Sequence, residues 1–154
     1  MGVERGPGGI MGGVERRWRV RQVVNVVNLS TPLGLLLGVA GRARWRRGPD
    51  GLVLATGWAW PVHGSAVTVG NVVLLRLDDE ALARRPRLLV HEARHASQYA
   101  CCLGLPLLLL YVAAAAWSWL RCRDFASANV FEVRAGLADG GYALDRSPGD
   151  TGVA

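Results

Sequence analysis

Residues 91–95 read His-Glu-Ala-Arg-His, and no other stretch limits the fold as tightly. On a helix, residues four apart lie one above the other, so His91 and His95 share a face. Two imidazole nitrogens at that separation form half of a tetrahedral zinc site. Glu92 stands beside that face, placed to take a proton from an attacking water and return it to a leaving amine. The chain has three histidines, and two are in this motif. Its flanks ask for a helix: Pro86 suits the first helical position, Gly104 suits the residue past the end, and Pro106 blocks continuation. The bland alternative is two histidines on a polar helix face with an incidental glutamate.

A hydrolytic zinc site uses a third protein ligand and leaves one position for water. The remaining candidate helix is Asp124 to about Leu137, which carries Asn129 and Glu132, with Asp124 as its expected N-cap. Whether Glu132 can reach the histidines depends on the uncharged run Tyr99–Leu120 between them. As one straight span it would carry Glu132 far away. A fold-back at Gly104–Pro106 changes the geometry. The histidines lie about 15 Å before the turn, the next helix descends about 21 Å, and the third climbs back about 12 Å, at 1.5 Å per residue. Glu132 then ends within about one helical turn of the histidines. The alternative for Glu132 is a solvent-facing helix glutamate.

H-E-x-x-H on one helix, with Glu132 in an E-x-x-A setting (Glu132 to Ala135) on a later helix, resembles the gluzincin zinc metallopeptidases. Ser97-Gln98 adds a likeness to the H-E-x-x-H-x-x-Q variant of small bacterial gluzincin-like proteins. The resemblance covers about residues 66–142. It implies His91, His95 and Glu132 as zinc ligands and Glu92 as general base. It also implies that a strand within Ala66–Leu75 lines the substrate cleft and pairs with an extended peptide. Asn129, Asp139 and Tyr142 are the candidates for supporting the ligands or the transition state. Tyr99 is a second guess for the oxyanion. Arg94 departs from a well-equipped peptidase, because a cation inside the motif must point away from the metal or find an anion.

Net charge is +6, and it resides in the first fifty residues, where nine arginines face three acids. All 18 basic residues are arginine, which fits a GC-rich coding bias as well as any partner. No aromatic-interleaved basic motif accompanies them, so no nucleic-acid partner is expected. The three cysteines, Cys101, Cys102 and Cys122, have neither disulfide-framework nor C-x-x-C spacing and read as small apolar residues.

Residues 1–15 are glycine-rich and are expected to form a disordered leader, and 143–154 a flexible tail, around one domain at 16–142. A short helix is expected from Pro32, capped by Ser30 or Thr31, to about Arg46. Gly48–Gly51 reads as a turn, Leu52–Thr56 as a strand, and Ala66–Leu75 as a second strand with a bulge or tight turn at Gly70-Asn71. Asp78–Glu80 suits the start of a short helix. His63 lies in a loop-like segment, where a lone histidine is more often neither a ligand nor a substrate contact. Leu107–Leu120 has the length of a buried core helix, yet its Tyr111, Trp117 and Trp119 also suit a membrane interface. Membrane contact through 107–120 or through the basic N-terminal segment therefore stays open, and the expected location is cytoplasmic or membrane-associated.

The expected architecture is α+β: a small β-element followed by three helices running up, down and up, with an HExxH zinc site between the first and third. The expected activity is zinc-dependent hydrolysis of a peptide bond in a peptide or protein substrate. The alternatives are a non-catalytic zinc-stabilised or membrane-associated module, and a small membrane protein with an accidental motif.

Overall fold

The computed structural model describes residues 8–59 and 65–141, with side chains from residue 15 onward. It is an α+β fold in which a four-stranded sheet is covered by helices. Helices α1 (Gly8–Val27) and α2 (Ser30–Ala40) precede strands β1 (Arg44–Arg47), β2 (Val53–Thr56), β3 (Ala66–Val69) and β4 (Val72–Leu75). Helices α3 (Asp79–Ala83), α4 (Pro86–Cys101), α5 (Pro106–Cys122) and α6 (Val130–Ala135) follow. The strand order is β1-β2-β4-β3; β2 and β4 run parallel and the other pairs antiparallel.

Alternation along the strands sorts the core. Val73 and Leu75 of β4 pack with Leu54, Leu88 and Ala96 on the α4 side. Val72 and Leu74 pack with Val69, Ala55 and Tyr99, joined by Leu33 and Leu37 of α2, on the other. Every residue of β4 is buried, as expected of a central strand covered on both faces. Thr68 pairs with Val73 and so faces α4, which places a hydroxyl against the motif helix.

Three features depart from the expected architecture. Helix α1 precedes the expected helix near Pro32, and the sheet has four strands where a small two-stranded element was expected. Residues 44–47, expected at the end of a helix, form edge strand β1, because α2 stops at Ala40 and Arg42 takes a left-handed conformation (φ 54°). Trp45 then packs on α2 at Gly38, and its neighbouring arginines stay in solvent on the sheet edge. Finally, α6 is shorter than the expected Asp124–Leu137 helix. Asp124 instead closes a turn by accepting from the Ala126 and Ser127 amides (2.7 and 2.8 Å), and Asn129 is the N-cap.

Other expectations hold. The Ala66–Leu75 stretch resolves into a hairpin with a tight turn at Gly70 (φ 63°), not a bulge. Asp78 caps α3 by accepting from the Ala81 amide. The chain folds back between α4 and α5 through a 120° bend at Gly104 (φ 80°). Helix α1, by contrast, begins at Gly8, inside the stretch 1–15 expected as a disordered leader; residues 1–7, His63, Tyr142 and the expected tail 143–154 lie outside the described residues.

Helix α1 holds α4 by a polar seam. Arg21, Asn25 and Asn28 donate to the carbonyls of Ala93 (3.2 Å), Ala96 (2.8 Å) and Tyr99 (3.3 Å). Asn25 and Asn71 also bond to each other, which ties the seam to the β3–β4 turn. Helix α2 lies against the sheet through glycine: a Cβ on Gly34 would stand 2.5 Å from the Val69 carbonyl oxygen. Gly34→Ala is therefore expected to lower unfolding stability by about 1–3 kcal/mol, since either the helix or the strand must retreat. A denaturant titration followed by circular dichroism measures it; an unchanged midpoint would contradict this packing.

Candidate metal centre

His91 and His95 project from α4 towards α6, and Glu132 meets them from the first turn of α6. All three are buried. The His91 and His95 Nε2 atoms are 2.9 Å apart, and Glu132 places one carboxylate oxygen 3.2 Å from His91 Nε2 and the other 3.5 Å from His95 Nε2. Ligand atoms about 2.1 Å from a tetrahedral zinc would be separated by about 3.4 Å. The two oxygen–nitrogen distances, one to each Glu132 oxygen, lie close to that spacing, and the nitrogen–nitrogen distance is about half an ångström shorter.

The surrounding hydrogen bonds prepare the nitrogens for a cation. His91 Nδ1 faces two acceptors, the Ala135 and Gly136 carbonyl oxygens (3.1 and 3.0 Å), and must therefore donate. His95 Nδ1 faces the side-chain oxygen of Gln98 (2.9 Å), whose amide nitrogen donates to the Phe131 carbonyl (2.9 Å). In the neutral rings both Nε2 atoms are then lone-pair donors aimed at one point. Glu132 Oε2 is buried and accepts no hydrogen bond. An acceptor left that way is costly unless a cation completes it, so the residues present fit a metal ion.

The same crowding governs charge when a proton stands in for a metal. Burial disfavours a charged His91, but its contact with Glu132 and the charges of Glu92 and Glu132 outweigh this and raise its pKa. Burial likewise opposes ionisation of Glu132, yet the His91 and His95 imidazoles and the Tyr111 hydroxyl hold its carboxyl well below the usual range.

Glu92 is not one of the converging ligands. It faces the sheet, where it accepts a hydrogen bond from the Thr68 hydroxyl (2.6 Å). Burial pushes its carboxyl up, against the pull of Thr68 and of the two histidines. Arg94 finds its anion outside the triad, at Asp139. It donates to the Ala135 carbonyl (2.6 Å) and to Asp139 (2.7 Å), and so pins the α6 C-terminus to α4.

The structure thus brings His91, His95 and Glu132 together and sets Glu92 beside them. The supporting residues fall elsewhere. Asn129 is fully buried but caps α6 by accepting from the Phe131 amide, and Asp139 serves Arg94. Tyr99 packs into the core on the far side of the sheet.

The sequence assigned Tyr111 only to a core or a membrane interface and gave Thr68 and Gln98 no part in the site. Tyr111 of α5 donates a hydrogen bond to Glu132 Oε1, and its ring lies 6.2 Å from that of His95. The fold-back arithmetic applied to Glu132 also finds Tyr111. It lies seven residues after Gly104, about 10 Å down, near His95 nine residues before it. Thr68 is the polar residue of an otherwise apolar strand, and its parity was the available signal.

No protein-family model, curated protein or solved structure matches the chain. The metal centre therefore stands on its own geometry.

Two substitutions probe it. A Cβ on Gly140 would sit 2.7 Å from His91 Cε1, so the 136–141 turn covers that imidazole at glycine-only distance. Gly140→Ala should weaken zinc affinity about tenfold or more by turning the ring, as measured by chelator competition. Tyr111→Phe should weaken it by about tenfold through the lost bond to Glu132, with the fold intact by circular dichroism. Unaltered affinity in both variants would remove these residues from the support of the site.

Proposed function

We propose that the protein is a zinc-dependent metallopeptidase of gluzincin type. The observation that carries this reading is the buried His91–His95–Glu132 triangle with Glu92 next to it on the same helix. A His₂Glu set occupies three of four tetrahedral positions and leaves the fourth for the reacting water. A bound zinc would supply Lewis acidity towards the scissile carbonyl and would lower the pKa of water.

The chain's own residues account for the rest. Glu92, buried and with a raised pKa, takes the proton from the attacking water and delivers it to the departing amine. Thr68 holds one Glu92 oxygen and leaves the other to work. Tyr111 stands at the rim of the triad, where its hydroxyl can turn from Glu132 to a developing oxyanion. Strand β3 is the sheet edge nearest α4, and no other strand among the described residues pairs with its outer side. Its backbone can receive an extended peptide by strand addition.

The second reading, a zinc-stabilised module without catalysis, draws on the near-complete burial of the triad. Glu92→Gln separates the two. For a peptidase it retains stoichiometric zinc and lowers turnover of a peptide library by about 10²-fold or more. His95→Ala loses the metal, and chelation abolishes turnover of the wild type. A wild-type protein that holds zinc and cleaves nothing is the non-catalytic module. Full activity in both variants excludes the assignment.

A further inference from the structure

The outer surface of this fold has inverted polarity. In the uncharged run 22–41, the buried side chains include Asn25, Ser30 and Thr31, while Val23, Val27, Leu29 and Leu36 face outwards. Helix α5 repeats the pattern: Ser118 is fully buried, and Leu109, Val112 and Leu120 are exposed. A helix in water turns its apolar stripe inwards and its polar residues out. These helices pack Leu33, Leu37 and Leu107 inwards on one side, yet they also bury polar side chains and leave a second apolar face outside, as they would in hydrocarbon, where backbone and side-chain polar groups must be satisfied internally. Glycine at Gly34 and Gly38 lets α2 approach its neighbours closely, a packing habit of membrane helices.

The placement of charge gives the orientation. Both uncharged runs fold at a corner, α1–α2 by 75° near Asn28 and α4–α5 by 120° near Gly104. The corners adjoin: Asn28 donates to the Tyr99 carbonyl, and a Cβ on Gly104 would stand 2.4 Å from Asn28 Cγ. Val27 (75% exposed), Leu103 (78%) and, on α5, Leu109 (77%) therefore crown one end of the molecule. The far ends carry arginine together with tryptophan. Trp18 stands among Arg16, Arg17 and Arg19, Trp45 among Arg44, Arg46 and Arg47, and Trp117 and Trp119 precede Arg121 and Arg123. The Arg19 and Arg121 guanidinium groups sit 5.5 and 5.6 Å from the Trp18 and Trp117 ring centroids. Tryptophan and arginine at that level match the headgroup region of a bilayer.

We infer that the protein is inserted into one leaflet of an anionic lipid membrane, with the paired corners and the outer side of α5 in hydrocarbon and the arginine–tryptophan ends at the headgroups. The α4–α5 run folds back by 120° and the α1–α2 run turns by 75°, with arginine before and after each, so neither has to carry its second end across to an opposite surface. No helix among the described residues is long and apolar enough to cross alone, which suits entry from one side. The inference is independent of catalysis at the metal centre. A soluble protein partner would cover the apolar face equally well but gives no reason for arginine and tryptophan at its borders.

The test is flotation of the full-length protein, purified in mild detergent and diluted into vesicles of phosphatidylcholine with or without phosphatidylglycerol. The expected result is co-flotation, about tenfold stronger with phosphatidylglycerol at low salt. The double substitution Leu103→Asp, Leu109→Asp should lower the partition coefficient by about tenfold or more. Both positions are exposed, so an unchanged circular dichroism spectrum and thermal midpoint in detergent show that the variant folds. Leu36→Asp serves as a second, independent variant on α2. The inference is overturned if the wild type ignores both kinds of vesicle. It is equally overturned if the aspartate variants float as well as the wild type, or if the face instead seals a dimer in solution that these substitutions dissociate.

Discussion

Two imidazole nitrogens and a carboxylate, all buried, are aimed at one point, and much of the molecule is arranged around the cost of that convergence. Three electron-rich groups within about 3.5 Å repel one another unless a cation lies between them. Their positions are nevertheless over-determined. Two backbone carbonyls hold His91, Gln98 holds His95, and Tyr111 holds Glu132. Arg94 and Asp139 keep the end of α6 against α4 from outside. An arrangement with this many fixed dipoles suits a metal, because the ligands need not reorganise when the ion arrives.

Helix α4 is held on each side by a different kind of interaction. The sheet supplies apolar burial and, through Thr68, one hydrogen bond to Glu92. Helix α1 supplies a row of amide and guanidinium donors to α4 carbonyls. Such a polar seam would contribute little net stability in water, where the same groups are well solvated. It makes better sense beside hydrocarbon, where no other donor or acceptor is available. The metal helix would then be stiffened by the same seam that lets α1 and α2 present valine and leucine outwards.

The triad and the apolar outer face share one structural device. The bend at Gly104 returns α5 so that Tyr111 reaches Glu132, and it also forms one of the two apolar corners. Gly104 has a left-handed φ of 80° and no room for a Cβ beside Asn28. The candidate metal site and the apolar corner thus depend on the same residue.

The metal ligands were legible because their signals are local or depend on chain length. A spacing of four sets two histidines on one helix face, and a glycine–proline break sets where the chain must turn, so helix rise alone brings Glu132 back to them. The limits of α4 and α5 and the hairpin turn at Gly70 were readable for the same reason: caps and left-handed glycines act within a few residues. Strand β1 was not readable, because Arg44–Arg47 lies on an edge exposed on both faces and its pairing with β2 comes from contacts distant in sequence. Nor were the partners of the ligands. Whether an asparagine caps a helix or touches a metal, whether an aspartate serves a histidine or an arginine, and which tyrosine lies at the rim are settled by how helices pack. The order of residues determined that three ligands could meet. Tertiary packing decided what surrounds them and which way the apolar side chains point, since an apolar residue at a given spacing is equally content in a core or in lipid.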